Sequence, residues 1–74
     1  MEINALGLQC PLPIVHLKRA IKDVPVGEEI VVLADDPAFP MDIRAWCEKC
    51  GHTLVSLDTN DPKRLVGVLR KAHE

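Results

Sequence analysis

The sequence predicts an α+β protein, a two-layer α/β sandwich in which two helices cover one face of a four-stranded mixed sheet. The chain has 74 residues, 47% of them hydrophobic and 27% charged. That length has room for one core, so we expect a single domain over residues 1–74. Two segments carry apolar side chains at helical spacing and four short segments have the pattern of strands, which gives the order βαβαββ.

The first strand and helix are separated by a glycine and a segment that contains cysteine and proline. Residues 2–6 form a short predicted strand that Gly7 ends. Residues 10–13 (CPLP) open the helix, because a first turn tolerates proline where the N–H groups have no intrahelical partner. Apolar side chains recur at helical spacing through residues 14–24, and residues 25–27 (PVG) end the helix.

The second half of the chain repeats this alternation and adds a final strand. Residues 29–34 are continuously apolar after Glu29, which is typical of an interior strand. Residues 35–37 (DDP) predict a helix start with an Asp cap, and this helix extends to Cys50, with Gly51 as its C-terminal stop. Residues 53–58 and 64–70 are predicted as the third and fourth strands.

Composition and charge exclude several classes of function. The net charge is −2 and no long run of Lys or Arg occurs, so we expect no direct nucleic-acid partner. The longest apolar stretch, residues 30–34, is far shorter than the roughly 20 residues of a membrane span. The three cysteines and the absence of signal-peptide features at the start predict a reducing, cytoplasmic location.

Cys10 is the strongest candidate for chemistry, because it stands directly before the first helix. The partial positive charge of a helix start favours a thiolate, so we expect the pKa of Cys10 to be lowered. Pro11 and Pro13 stiffen this turn, and Lys18 and Arg19 supply positive charge for docking a partner. An exposed, activated thiol without an adjacent base favours a carrier over a hydrolase. The alternative is that Cys10 is a small buried hydrophobe.

Five segments carry a resemblance to one known family. Residues 6–13 (LGLQCPLP) resemble the LGxxCPxP signature of the TusA/SirA/YedF family of small sulfur carriers. Residues 25–28 (PVGE), 34–38 (ADDPA), 42–43 (DI) and 51–54 (GHTL) resemble further family segments in the same order. The resemblance covers almost the whole chain, and the matched context makes it far more specific than a lone motif.

The resemblance implies a fold like the predicted sandwich and a role in sulfur transfer. In the family the motif cysteine accepts sulfane sulfur as a persulfide from a cysteine desulfurase or a rhodanese-type donor. It relays that sulfur to an acceptor protein in tRNA thiolation, cofactor synthesis or sulfur oxidation. Carried over, Cys10 holds the sulfur, and Pro11 and Pro13 shape its presentation. The resemblance thus implies a sulfurtransferase-type carrier more than a stand-alone enzyme, with no cofactor or metal beyond the covalent sulfur.

The remaining cysteines allow three interpretations. Cys47 and Cys50 follow Trp46 in a pattern like the WCxxC of thioredoxin, but at the end of a helix, where the dipole disfavours a thiolate. They pack in the core, form a reversible redox pair, or bind zinc with His52 and Cys10. Two alternative functions therefore stand beside the carrier: a small zinc-binding domain, and a non-catalytic regulatory or interaction module in which Cys10 never carries sulfur.

Three aspartates, Asp35, Asp36 and Asp42, lie close together at the start of the second predicted helix. Such a group resembles an acidic metal site. Helix capping and favourable charge in the first turn explain all three residues without an ion, and this is the interpretation we adopt.

Overall fold

A four-stranded sheet and two helices follow one another in the predicted order βαβαββ. The computed structural model describes residues 1–73. Its elements are β1 (Glu2–Ala5), α1 (Leu12–Ala20), β2 (Glu29–Ala34), α2 (Phe39–Cys50), β3 (Thr53–Asp58) and β4 (Leu65–Arg70), and a short 3₁₀ turn (Ile21–Asp23) extends α1. The predicted bounds of β2 and β3 are confirmed, and those of β1 and β4 differ by one residue.

The sheet has the strand order β1-β2-β4-β3. β1 pairs with β2 in parallel, whereas β4 is antiparallel to both β2 and β3. Because β2 has a neighbour on each side, its continuous apolar run is that of an interior strand, as predicted. Strands β1, β2 and β3 therefore all point the same way, and their carboxyl ends share one edge of the sheet.

The core lies between one face of the sheet and the two helices. Alternate residues of β2 and β4 point toward the helices, since side chains of a strand alternate between its two faces. They pack against apolar side chains of α1 and α2, and the fully buried members include Leu17, Ile30, Val32, Phe39, Ile43 and Leu69. This burial confirms the two-layer sandwich with both helices on one face.

The two ends of α2 match the sequence patterns to different degrees. Gly51 adopts φ 77° and donates its N–H to the Cys47 carbonyl, which confirms the predicted stop. The helix begins at Phe39, later than residues 35–37 predicted, and Ala38 is its capping residue. Asp36 instead closes the preceding turn, where its Oδ1 accepts the Ala38 N–H at 3.1 Å.

A buried lysine ties the last strand to the end of the first helix. Lys71 follows β4 and is only 5% exposed. Its Nζ donates hydrogen bonds to the carbonyls of Ile21 and Val24 at 2.9 and 2.7 Å. The Ile21 carbonyl also accepts the N–H of Val24 at 3.2 Å, so the lysine adds a second donor to it. The buried ammonium group is in turn hydrogen-bonded to both carbonyls.

Candidate functional site

The candidate site lies at the edge where β1 and β2 end side by side. The chain leaves β1 through a loop that contains Gly7 and Cys10, and it leaves β2 through Asp35 and Asp36. These two segments line a depression of about 400 Å³. The Cys10 side chain is exposed in it, so the alternative of a buried structural cysteine at this position is wrong.

Two aspartates after β2 hold the loop that carries Cys10. Asp35 Oδ2 accepts the N–H of Gly7 at 2.9 Å, and Asp36 Oδ2 accepts the N–H of Cys10. Gly7 itself has φ 81°, a conformation that side chains rarely adopt. The turn geometry and both hydrogen bonds thus fix the backbone at the cysteine.

A third aspartate binds the thiol itself. The Cys10 Sγ donates a hydrogen bond to Oδ2 of Asp42, in the first turn of α2, at 2.7 Å. This bond raises the pKa of Cys10, since it stabilises the protonated thiol, and the negative charges of Asp42 and Asp36 act in the same direction. The hydrogen bond and the two negative charges therefore favour the protonated form of this exposed thiol.

The predicted lowering of the Cys10 pKa is wrong, and the start of α1 explains why. Pro11 and Pro13 carry no N–H group, and the N–H of Leu12 donates to the Gln9 carbonyl at 2.8 Å. The helix start thus has few donors to offer a thiolate. The Asp42 carboxylate binds the thiol instead, and its charge and that of Asp36 raise the pKa of Cys10.

The two prolines flank the start of α1 in different surroundings. Pro11 is exposed and caps the helix, after a cis peptide bond from Cys10. Pro13 is fully buried. Their predicted role in presenting the thiol stays a prediction.

Lys18 and Arg19 lie in the last turn of α1, and both are exposed. Lys18 borders an apolar groove of about 290 Å³ between α1 and α2, which Ile14, Trp46 and Cys50 also line. The groove begins at Pro11, directly after Cys10. The predicted docking role of Lys18 and Arg19 stays a prediction.

Cys47 packs in the core, as one of the three interpretations expected. It is 2% exposed, and burial raises the pKa of its thiol to about 11. Cys50 is half-buried, and both thiols are free. The high pKa opposes use of Cys47 as an attacking thiol in a redox pair.

His52 takes part in a ring stack at the far end of α2. Its ring stacks on Trp46 and His73, with centroid distances of 5.5 and 4.6 Å. Its Nδ1 accepts the N–H of Ala72 at 3.1 Å. Across residues 1–73, no group of three or more His, Cys, Asp and Glu side chains is placed to hold a metal ion. The structure thus offers no support for the zinc site of Cys47, Cys50 and His52.

The partners of Cys10 are functional residues that the sequence motifs do not identify. Capping and first-turn charge explain Asp35, Asp36 and Asp42 in the sequence, yet in the structure all three hold the cysteine loop or its thiol. The sequence carries one signal toward them: Cys10 and the pair Asp35 and Asp36 each follow a strand of a βαβ unit, whose two strands run parallel. The carboxyl ends of such strands are where α/β folds place their sites.

The fold and this site define a class of protein, the small α/β sandwich that presents a thiol at the edge of its sheet. The family model described as sulfurtransferase TusA matches residues 1–71. The chain therefore belongs to the TusA sulfurtransferase family, whose members act in sulfur relay with other proteins.

A solved structure agrees with this assignment at the level of the fold. The crystal structure of a SirA-like protein from Desulfitobacterium hafniense superposes with a TM-score of 0.82 over 97% of each chain, at 22% sequence identity. Among the described residues, neither helix is long and apolar enough to cross a membrane.

Proposed function

We propose that this protein carries sulfane sulfur as a persulfide on Cys10. A cysteine desulfurase or a rhodanese-type protein supplies the sulfur, and an acceptor protein receives it, in a cytoplasmic relay. The observation that carries the proposal is the exposed Cys10 thiol at the sheet edge of a chain that belongs to the TusA family. Pro11 and Pro13 present this thiol, and Lys18 and Arg19 help to dock the partners.

The transfer is a displacement at sulfur, akin to thiol–disulfide exchange. The Cys10 sulfur, after losing its proton, attacks the outer sulfur of the donor persulfide. A new S–S bond forms, the donor S–S bond breaks, and the donor cysteine leaves with the electron pair as a thiolate. The acceptor repeats the step on the outer sulfur of the loaded Cys10. An open depression suits this chemistry, because two different proteins must reach one sulfur atom.

The raised pKa of the empty thiol favours a second candidate function. A thiol that stays protonated is a poor nucleophile, as expected for a regulatory or interaction module in which Cys10 never carries sulfur. The two candidates differ in one observable property, the appearance of a persulfide on Cys10 when a donor is present.

A loading experiment distinguishes them. The wild-type protein is incubated with a cysteine desulfurase and cysteine, and its intact mass is measured without reductant. We expect the wild type to gain the mass of one sulfur atom, whereas Cys10→Ala gains none and keeps its circular dichroism spectrum. Equal loading of the two proteins would assign the sulfur elsewhere, and no loading of the wild type would favour the regulatory module.

A further inference from the structure

Asp42 lies against the sulfur atom on which the proposed function depends. Its Oδ2 is 2.7 Å from Cys10 Sγ, and a second carboxylate, that of Asp36, binds the N–H of the same cysteine. The nearest Lys or Arg residues of α1 are Lys18 and Arg19 in its last turn, roughly 10 Å along the helix from Pro11 at about 1.5 Å per residue. The charges that act on the Cys10 thiol are those of the Asp42 and Asp36 carboxylates, and both are negative.

We propose that Asp42 is a positioning residue that restrains Cys10 in both directions of sulfur transfer. Its carboxylate slows the capture of sulfur by the empty thiol and slows the loss of sulfur from the loaded one to small molecules. Exchange is then reserved for partners that displace or neutralise the carboxylate. This inference rests on the proposed function, because its second half assumes a persulfide on Cys10.

Capture requires the thiolate of Cys10. The S–H proton leaves to water, the Cys10 sulfur forms a bond to a sulfane sulfur of the donor, and the donor S–S bond breaks with its electron pair on the departing sulfur. Asp42 opposes the first step, because it accepts the S–H hydrogen bond and places a negative charge beside the thiolate. The raised pKa of Cys10 supports this argument.

Loss of sulfur runs through the same thiolate as a leaving group. When cyanide attacks the outer sulfur, thiocyanate forms, and the S–S electron pair passes to the Cys10 sulfur, which then takes a proton from water. A leaving thiol departs more slowly as its pKa rises. The carboxylate that disfavours the Cys10 thiolate therefore slows discharge as well as capture.

The test is Asp42→Asn, which removes the charge and keeps the size of the side chain. Alkylation of Cys10 by iodoacetamide is measured against pH, and peptide mass spectrometry separates it from alkylation of Cys47 and Cys50. We expect the profile to shift to lower pH. At neutral pH the rate of alkylation should rise about threefold for each unit by which the pKa of Cys10 falls. The fraction of thiolate rises about tenfold per unit, but a thiolate of lower pKa is a weaker nucleophile, which cancels part of the gain. Capture of sulfur from polysulfide and release of thiocyanate to cyanide should also become faster.

Two further variants control for charge and for folding. Asp23→Asn makes the same charge change at an exposed position in the 3₁₀ turn and should leave all three rates unchanged. Asp42→Glu keeps the charge and should react more like the wild type than like Asp42→Asn. Thermal unfolding checks that each variant is folded.

The outcomes separate this inference from the proposed function. Alkylation of Asp42→Asn with the wild-type pH profile would overturn the restraint, as would equal acceleration in Asp23→Asn or in Asp42→Glu. If polysulfide loads none of the proteins, the carrier function is contradicted, and with it the claim that Asp42 slows the loss of sulfur from the loaded cysteine. The alkylation profile would still decide whether Asp42 restrains the empty thiol.

Discussion

The thiol of Cys10 and the ring of His52 are each held by a hydrogen bond whose direction fixes a protonation state. Cys10 donates to Asp42, so its bond exists only while the thiol is protonated. His52 Nδ1 accepts from Ala72, so its bond exists only while that nitrogen carries no proton. Partial burial lowers the pKa of His52, and the positive charges of His73 and Lys71 lower it further.

The lowered pKa of His52 predicts a pH-dependent stability. Because the unfolded chain binds this proton more readily, the contribution of neutral His52 is fully present above its ordinary pKa of 6.5 and is lost as the pH falls from there through the lowered pKa of the folded state. His52→Phe keeps an aromatic ring but cannot titrate. We therefore expect the free energy of unfolding, measured with urea from about pH 7.5 to about pH 5.5, to fall more steeply in the wild type than in His52→Phe.

The exposed His16 provides the control for this experiment. His16→Phe should keep the wild-type dependence on pH, because the ring of His16 lies on the outer side of α1. Parallel pH profiles for the wild type and His52→Phe would contradict the role given to the Ala72 hydrogen bond.

The sequence was enough to predict the central residue of the site but not the residues that contact it. The motif and its place before a helix were enough to single out Cys10. Its partners were not predictable in the same way, since Asp36 and Asp42 lie 26 and 32 positions further along the chain. A local pattern does not tell which of several aspartates approaches a thiol. The wrong sign of the predicted pKa shift follows from this, because the helix dipole was visible in the sequence and the carboxylates around the sulfur were not.

The bounds of helices and strands agree with local sequence patterns where the residues concerned make no contacts with distant parts of the chain. The end of α2 at Gly51 was predictable, because a glycine with positive φ suits that position. The start of α2 was not, because Asp36 binds the backbone of Ala38 and of Cys10 and does not cap the helix. The glycine at position 67 of β4 was not predictable from local signals either. Its Cα faces the side chains of α2, which leave little room for a larger residue.

Gly67→Ala tests how closely β4 packs against α2. A Cβ at this position would lie 2.7 Å from Ile43 Cδ1 and 3.2 Å from Phe39 Cζ. Such overpacking of a close-packed core costs about 1–3 kcal/mol. We expect a loss of that size in the free energy of unfolding, measured with urea.

Ile43→Val removes the atom with which the new methyl group collides, so it is the matched partner for a double-mutant cycle. Gly67→Ala should cost less in the Ile43→Val background than in the wild type. An equal cost in both backgrounds would mean that the close approach of Gly67 and Ile43 does not limit the packing.

At the scale of the whole molecule, the topology brings the site together. β1 and β2 are parallel neighbours, so the cysteine loop and the acidic loop leave the sheet at one edge and meet there. The βαβαββ order and the two layers were predictable, because apolar periodicity, turn residues and chain length all agree on them. The strand order β1-β2-β4-β3 was not, because local patterns do not specify which strands pair.

The proposed relay depends on one residue, because the transferred sulfur must reside on Cys10. The most direct measurement is peptide mass spectrometry of the wild-type protein after loading by a cysteine desulfurase and trapping with iodoacetamide. We expect the additional sulfur on the peptide that contains Cys10, with Cys47 and Cys50 carrying none. Sulfur found on Cys47 or Cys50, or on no cysteine of the chain, would overturn the proposed relay.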